Sequence, residues 1–152
     1  MNNQSYVQLI KRFCEHVNIG DCESVLAQGS VAVGGIGFSL VPAGTPEHEE
    51  LLVYCDFGEL PQTRQQDALR RLLEINILLS SGVSPASFCV NPENGHVIFS
   101  YRALLAQTDA PALAGSLQSC VEQAREWRAN HFLAHEVHTS DIQARGIDRT
   151  RL

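Results

Sequence analysis

Nowhere does the chain stay apolar for the roughly 20 residues needed to span a bilayer, and its opening, MNNQSYVQ, lacks the basic and apolar regions of a signal peptide. The expectation is a cytoplasmic protein that does not insert in a membrane. No two of the five cysteines (Cys14, Cys22, Cys55, Cys89, Cys120) are spaced as CxxC, and most sit inside apolar periodic segments. They read as reduced core thiols, not as a disulfide framework. Basic charge is also scarce. Eleven Lys and Arg against 17 Asp and Glu leave a net charge of −6, and the only local concentration is Arg145, Arg149 and Arg151. Nucleic-acid binding rests on a clustered basic surface, so nucleic acid is not an expected partner. An acidic surface can, however, attract a basic or amphipathic polypeptide.

Signatures of catalysis are missing as well. The glycine-bearing stretch VAVGGIGFSLVP, residues 31–42, has no lysine in P-loop position and continues as strand where a dinucleotide fingerprint would open a helix, so phosphate binding is not expected. Ser39 follows Gly-Phe and precedes Leu-Val, which is no nucleophile elbow. Cys14 and His16 are two apart and diverge by about 200° on a helix, too far round to pair. Glu47, Glu49, Glu50, Asp56 and Glu59 read as a solvated face. In HFLAHEVH the residues His131, His135 and His138 recur at helical spacing, but Glu136 stands in HExH, where it cannot serve as the general base of a zinc protease helix. A solvated polar tail is the expectation there. No catalytic residue, metal site or cofactor is assigned.

What the chain does have is 44% hydrophobic residues in 152, enough for one domain with a real core. We assign residues 1–132 to that domain and 133–152 to a polar, loosely held tail. Tyr6, Leu9, Ile10, Phe13 and Val17 form one stripe and predict an amphipathic helix over 4–17. ESVLAQG reads as a short strand. Val31 and Val33 alternate in one phase and Ile36, Phe38 and Leu40 in the other, which predicts a bulge or sharp bend at Gly34-Gly35. LLVYCDFG is a third strand. Thr63 with Gln66 is spaced as a capping box opening a helix that runs to Ser81. Leu69, Leu72, Leu73, Ile75, Ile77, Leu78 and Leu79 go most of the way round that helix, so it must be covered on more than one side, by the core or by a second subunit. ASFCV and HVIFSYRAL flank Asn94-Gly95 as a hairpin. Asp109 and Pro111 open a last helix with Leu113, Leu117, Val121, Ala124 and Trp127 on its stripe. The predicted class is α+β, in the order α-β-β-β-α-β-β-α, with a mainly antiparallel twisted sheet.

The second half carries a more specific signal. Leu72, Leu73, Asn76 and Leu78 form a Leu-Leu-x-x-Asn-x-Leu run; Asn91, Pro92 and Gly95 form the hairpin; Ala124, Trp127 and Arg128 close the last helix. This pattern resembles the class I chaperones of bacterial type III secretion, the Tir-chaperone-like family, in which Asp usually precedes the hairpin proline where Asn91 stands here. The resemblance implies a non-enzymatic homodimer with the leucine-rich helix near the two-fold axis, Leu72, Ile75, Leu78 and Leu79 contributing to the interface. It also implies a partner, the N-terminal segment of a secreted effector, held extended over apolar patches and partly added to a sheet edge. On that reading Phe13, Val17, Ile36, Phe38 and Leu40 are the candidate effector anchors, each of which could instead point into the core. The alternative function is a cytoplasmic dimeric protein-binding module of the same architecture, such as an immunity or regulatory protein.

Overall fold

A computed structural model describes residues 3–82 and 84–133. Helix α1 (Gln4–His16) buries Tyr6, Leu9, Ile10, Phe13 and Cys14, the stripe expected from its spacing together with the thiol beside it. Helix α2 (Cys22–Gln28) follows, where the sequence suggested a strand. Its seven residues are too few to show a helical period, but its punctuation is complete. The Asp21 carboxylate accepts from the Ser24 backbone N–H (3.2 Å) and hydroxyl (2.7 Å), and Gly29 ends the helix in the left-handed conformation.

Strands β1 (Ser30–Val33), β2 (Ile36–Thr45) and β3 (His48–Gly58) come next. The phase change at Gly34-Gly35 is therefore neither a bulge nor a bend within one strand. It is the two-residue turn of a hairpin whose register pairs Val33 with Ile36 and Val31 with Phe38. Both glycines have positive φ, 57° and 79°, as a turn that follows the strand twist requires. A bulge does occur, in β3 between Asp56 and Gly58.

Helix α3 (Gln65–Ser80) begins without the expected capping box: no side chain caps it, Arg64 at the N-cap has φ 58°, and the Arg64 guanidinium instead reaches Asp67 at 3.1 Å. Strands β4 (Ala86–Val90) and β5 (Val97–Leu104) form the expected hairpin around Asn94-Gly95. A single 3-10 turn (Leu105–Gln107) leads to α4 (Ala110–Asn130), where the Asp109 carboxylate accepts from the Ala112 N–H at 2.8 Å.

The five strands form one antiparallel sheet in the order β1-β2-β3-β5-β4, so the class is α+β with the order α-α-β-β-β-α-β-β-α. One face of the sheet, carrying Ile36, Phe38, Leu40, Leu51, Val53, Cys55, Phe57 and Val97, packs with α1 and α4 into the core. Polar contacts help fix the layers. The Tyr6 hydroxyl donates to the Leu40 carbonyl at 3.0 Å, and the end of α4 grips the bulged end of β3. There the Trp127 indole donates to the Glu59 carbonyl (3.2 Å), and Arg128 donates to the carbonyls of Phe57 (3.0 Å) and Asp56 (3.3 Å). The Asp56 and Phe57 carbonyls lie at the bulge and that of Glu59 just past the strand, and the helix end supplies them with donors.

Candidate partner-binding surfaces

Helix α3 is the most exposed apolar element. Ala68 and Leu72 are buried, Ile75 and Leu79 are half-buried, yet Leu73, Ile77 and Leu78 are 70%, 71% and 72% exposed. Leu73 and Ile77 stand one turn apart on one stripe, and Leu78 lies next round the cylinder. Of the four residues expected at a dimer interface, Leu78 is fully presented, Ile75 and Leu79 partly, and Leu72 belongs to the core of its own chain. Leu73 and Ile77, outside that set, are equally exposed. They belong to the same leucine-rich run, whose spacing does not say which side the sheet takes.

Asn76 holds α3 in place. Its side-chain amide donates to the Phe88 carbonyl (3.1 Å) and accepts from the Phe88 N–H (2.7 Å). Strand β4 is an edge of the sheet, so this two-point contact supplies both ladder partners that Phe88 would otherwise lack, and it covers that edge with a helix. Among the described residues the opposite edge, β1, pairs only with β2. A sheet edge is where strand addition takes place.

The candidate anchors fall differently. Phe13, Ile36, Phe38 and Leu40 are at most 2% exposed and pack against one another in the core, so α1 and the glycine-bearing hairpin close on each other and leave no groove between those side chains. The inward phase carries them: Phe38 pairs with Val31 and Cys55, both on the helix-covered face. Val17, capping α1, stays half-buried. The outward phase was overlooked as a surface. It presents exposed Val41 and Tyr54 and half-buried Leu52 on the face opposite α1 and α4.

A cleft of about 910 Å³ opens between α3, α4 and the β4 side of the sheet. Phe57, Phe88, Phe99 and Phe132 form its aromatic wall, with ring centroids 5.0 Å apart for Phe88 and Phe99 and 5.2 Å for Phe57 and Phe88. Arg70 and Glu126 are among its polar lining residues. Elsewhere the chemistry is sparse. His131 ends α4, its ring edge-on to Trp127 at 5.0 Å, while His135, Glu136 and His138 lie outside the described residues, as does the tail expected from Leu133 onward apart from Leu133 itself. Among the described residues no three His, Cys, Asp or Glu side chains group as metal ligands, and no helix is long and apolar enough to cross a membrane.

A family model, that of the Tir chaperone protein (CesT) family, matches residues 8–128. Among solved structures, the crystal structure of the ExsC-ExsE complex contains a chain similar in fold, with TM-score 0.63 and 17% identity over 84% of this chain and 94% of that one. The structure of the HopA1-SchA chaperone-effector complex contains another, with TM-score 0.58 and 20% identity over 85% and 97%. No curated protein matches.

Proposed function

The chain belongs to the Tir chaperone protein (CesT) family, and from that premise we propose that it is a type III secretion chaperone. It binds the N-terminal segment of a secreted effector in the bacterial cytoplasm, keeps it soluble and competent for export, and catalyses no reaction itself. The observation that carries this reading is the extent of the family match, which runs from within α1 to Arg128 near the end of α4 and so takes in the whole sheet and all four helices. The family is a binding family, and a structure similar in fold is described as a chaperone-effector complex.

Two surfaces support the reading physically. Three large apolar side chains on α3 lie in water in the single chain, and a second copy related by a two-fold axis would cover them, each contact occurring twice. The β1 edge and the outward sheet face around Val41 and Tyr54 supply backbone donors, acceptors and apolar contacts at strand spacing, which suits an extended segment without a fold of its own. In this arrangement Phe13, Ile36, Phe38 and Leu40 act from beneath, holding the β1-β2 hairpin in shape.

Hydrogen exchange with and without the bound effector segment tests the placement. New protection is expected in residues 30–41 and around Tyr54, on the β1 edge and the outward sheet face. Protection confined to residues 133–152 would move the binding site to the tail and overturn it.

A further inference from the structure

Helix α4 does not end in open solvent. His131 and Phe132 both have φ 55°, the Asn130 side chain accepts from the Phe132 N–H at 2.8 Å, and the Asn130 carbonyl accepts from the Leu133 N–H at 3.0 Å. Consecutive left-handed residues other than glycine persist only where their surroundings hold them. Here the holding contacts are aromatic. The Phe132 ring lies 5.4 Å from Trp127, 5.9 Å from Phe88 on β4 and 6.3 Å from Phe57 on β3, so the chain turns off the helix onto the sheet. Phe132 and Leu133 thereby line the cleft between α3 and α4, and the described residues stop at its wall.

The walls of that cleft are apolar and incompletely covered. Its volume of about 910 Å³ stands near the upper end of the roughly 300–1,000 Å³ that ligand sites span. Ile75, Leu79, Phe88, Phe99, Phe132 and Leu133 line it, each half-buried. Leu73, Ile77 and Leu78 do not line it, so a second copy seated on those side chains leaves the cleft to another occupant. We propose that the occupant is the chain's own segment 134–152, which follows Leu133 directly and lays its apolar side chains against the aromatic wall.

Reach favours this occupant. A residue spans at most about 3.6 Å, so Val137 lies within about 14 Å of Leu133 and Ile142 within about 32 Å. The covalent connection also supplies the segment at high effective concentration, which no separate partner shares. Composition agrees. Val137, Ile142, Ile147 and Leu152 are the segment's only large apolar residues, and they recur every fifth residue among polar and small ones. Arg145, Arg149 and Arg151 form the chain's one concentration of basic charge, and the cleft offers them Asp67, Glu74 and Glu126 against Arg70 and Arg71. Asp67 already pairs with Arg64 (3.1 Å) and Glu74 with Arg71 (3.5 Å), which leaves Glu126 on α4 as the acid of the three without an ion pair among the described residues. The β1 edge stands at the other end of the sheet from β4, so a segment docked in the cleft leaves that edge open.

The test uses the full chain. Val137→p-benzoylphenylalanine places a photoreactive ketone in the segment, and irradiation in an excess of isotope-labelled wild-type chain separates docking in the same chain from docking in a second copy. Peptide mapping by mass spectrometry should find cross-links to the cleft walls on α3 (70–79) and α4 (119–130), in unlabelled peptides only. Cross-links to labelled peptides would give the cleft to another copy's segment, and cross-links that miss both walls would place the segment elsewhere; either result overturns the proposal. A second measurement needs no cross-linker. Val137→Asp combined with Ile142→Asp opposes docking with carboxylates, so emission of the apolar dye ANS should rise at least ~2-fold as the aromatic wall is uncovered. Equal emission from this variant and the wild type would overturn the proposal as well.

Discussion

Replacing Leu73 and Ile77 together by Asp separates the packing of α3 on its own chain from the proposed role of its exposed stripe in a dimer. Burying a Leu or Ile side chain completely is worth about 1.5–3 kcal/mol. With seven-tenths of each still exposed in the single chain, covering one would contribute about 1–2 kcal/mol. In the proposed dimer a two-fold axis would repeat both contacts, so this pair would supply about 4–8 kcal/mol. Carboxylates in their place remove that contribution and add the penalty of unpaired buried charge. Within the monomer they change only exposed helical positions, at a cost of about 1 kcal/mol in helix propensity. The double variant is therefore expected to be a folded monomer. Light scattering over a concentration series should give about twice the chain mass for the wild type and the single-chain mass for the variant, with little change in the circular dichroism melt. Leu78→Asp should act in the same direction. A variant that still dimerises like the wild type would refute the interface; one that unfolds would show that these side chains serve the core.

Phe38→Ala is expected to lower folding stability by about 3–5 kcal/mol in urea unfolding, because the ring is buried against α1 and β3; an unchanged midpoint with weakened effector binding would return Phe38 to the role of surface anchor. Gly35→Ala should lose about 1–2 kcal/mol from the left-handed conformation alone, since its φ is 79° and open space surrounds it. Gly44→Ala should lose more, because a Cβ there would collide with the His48 carbonyl oxygen, and equal losses in the two variants would contradict that packing. The Asp21 carboxyl is held below its ordinary value by the hydroxyl and N–H of Ser24, so its contribution to α2 is present above the unfolded carboxylate range and is lost as pH falls through the folded value. Asp21→Ala should consequently lower the melting temperature at pH 7, the gap closing in strong acid; a gap that persists there would show that the cap acts through something other than its charge.

The class of the fold and the elements from β3 onward were legible because they rest on long patterns: the alternation of Leu51, Val53, Cys55 and Phe57, the Asn94-Gly95 hairpin, and the stripe from Leu113 to Trp127. The first third was harder for a definite reason. Crossing a two-residue turn changes the alternation by an odd step, so Val33 and Ile36 show the same phase slip that a bulge would give, and only pairing distinguishes the two. For α2 the boundary signals, Asp21 and Gly29, said more than its seven internal residues. Periodicity also identifies which residues share a face without saying which face is covered. That is why Phe38 could be read as an anchor, while Tyr54, one phase away, is the side chain that reaches solvent. Asn76 stood out as a motif position, but its grip on Phe88 depends on β4 arriving beside α3, which no local pattern encodes.

Whether this chain escorts a secreted protein is decided by following that protein's export. The partner is captured from the native cytoplasm on the tagged chain and identified by mass spectrometry, and its type III secretion is then compared in cells with and without the chain. A chaperone of this kind should bind the partner through its N-terminal segment, removal of this segment should abolish capture, and cells lacking the chain should export little of it. Export at the normal level without the chain, or capture that survives loss of the N-terminal segment, would contradict it.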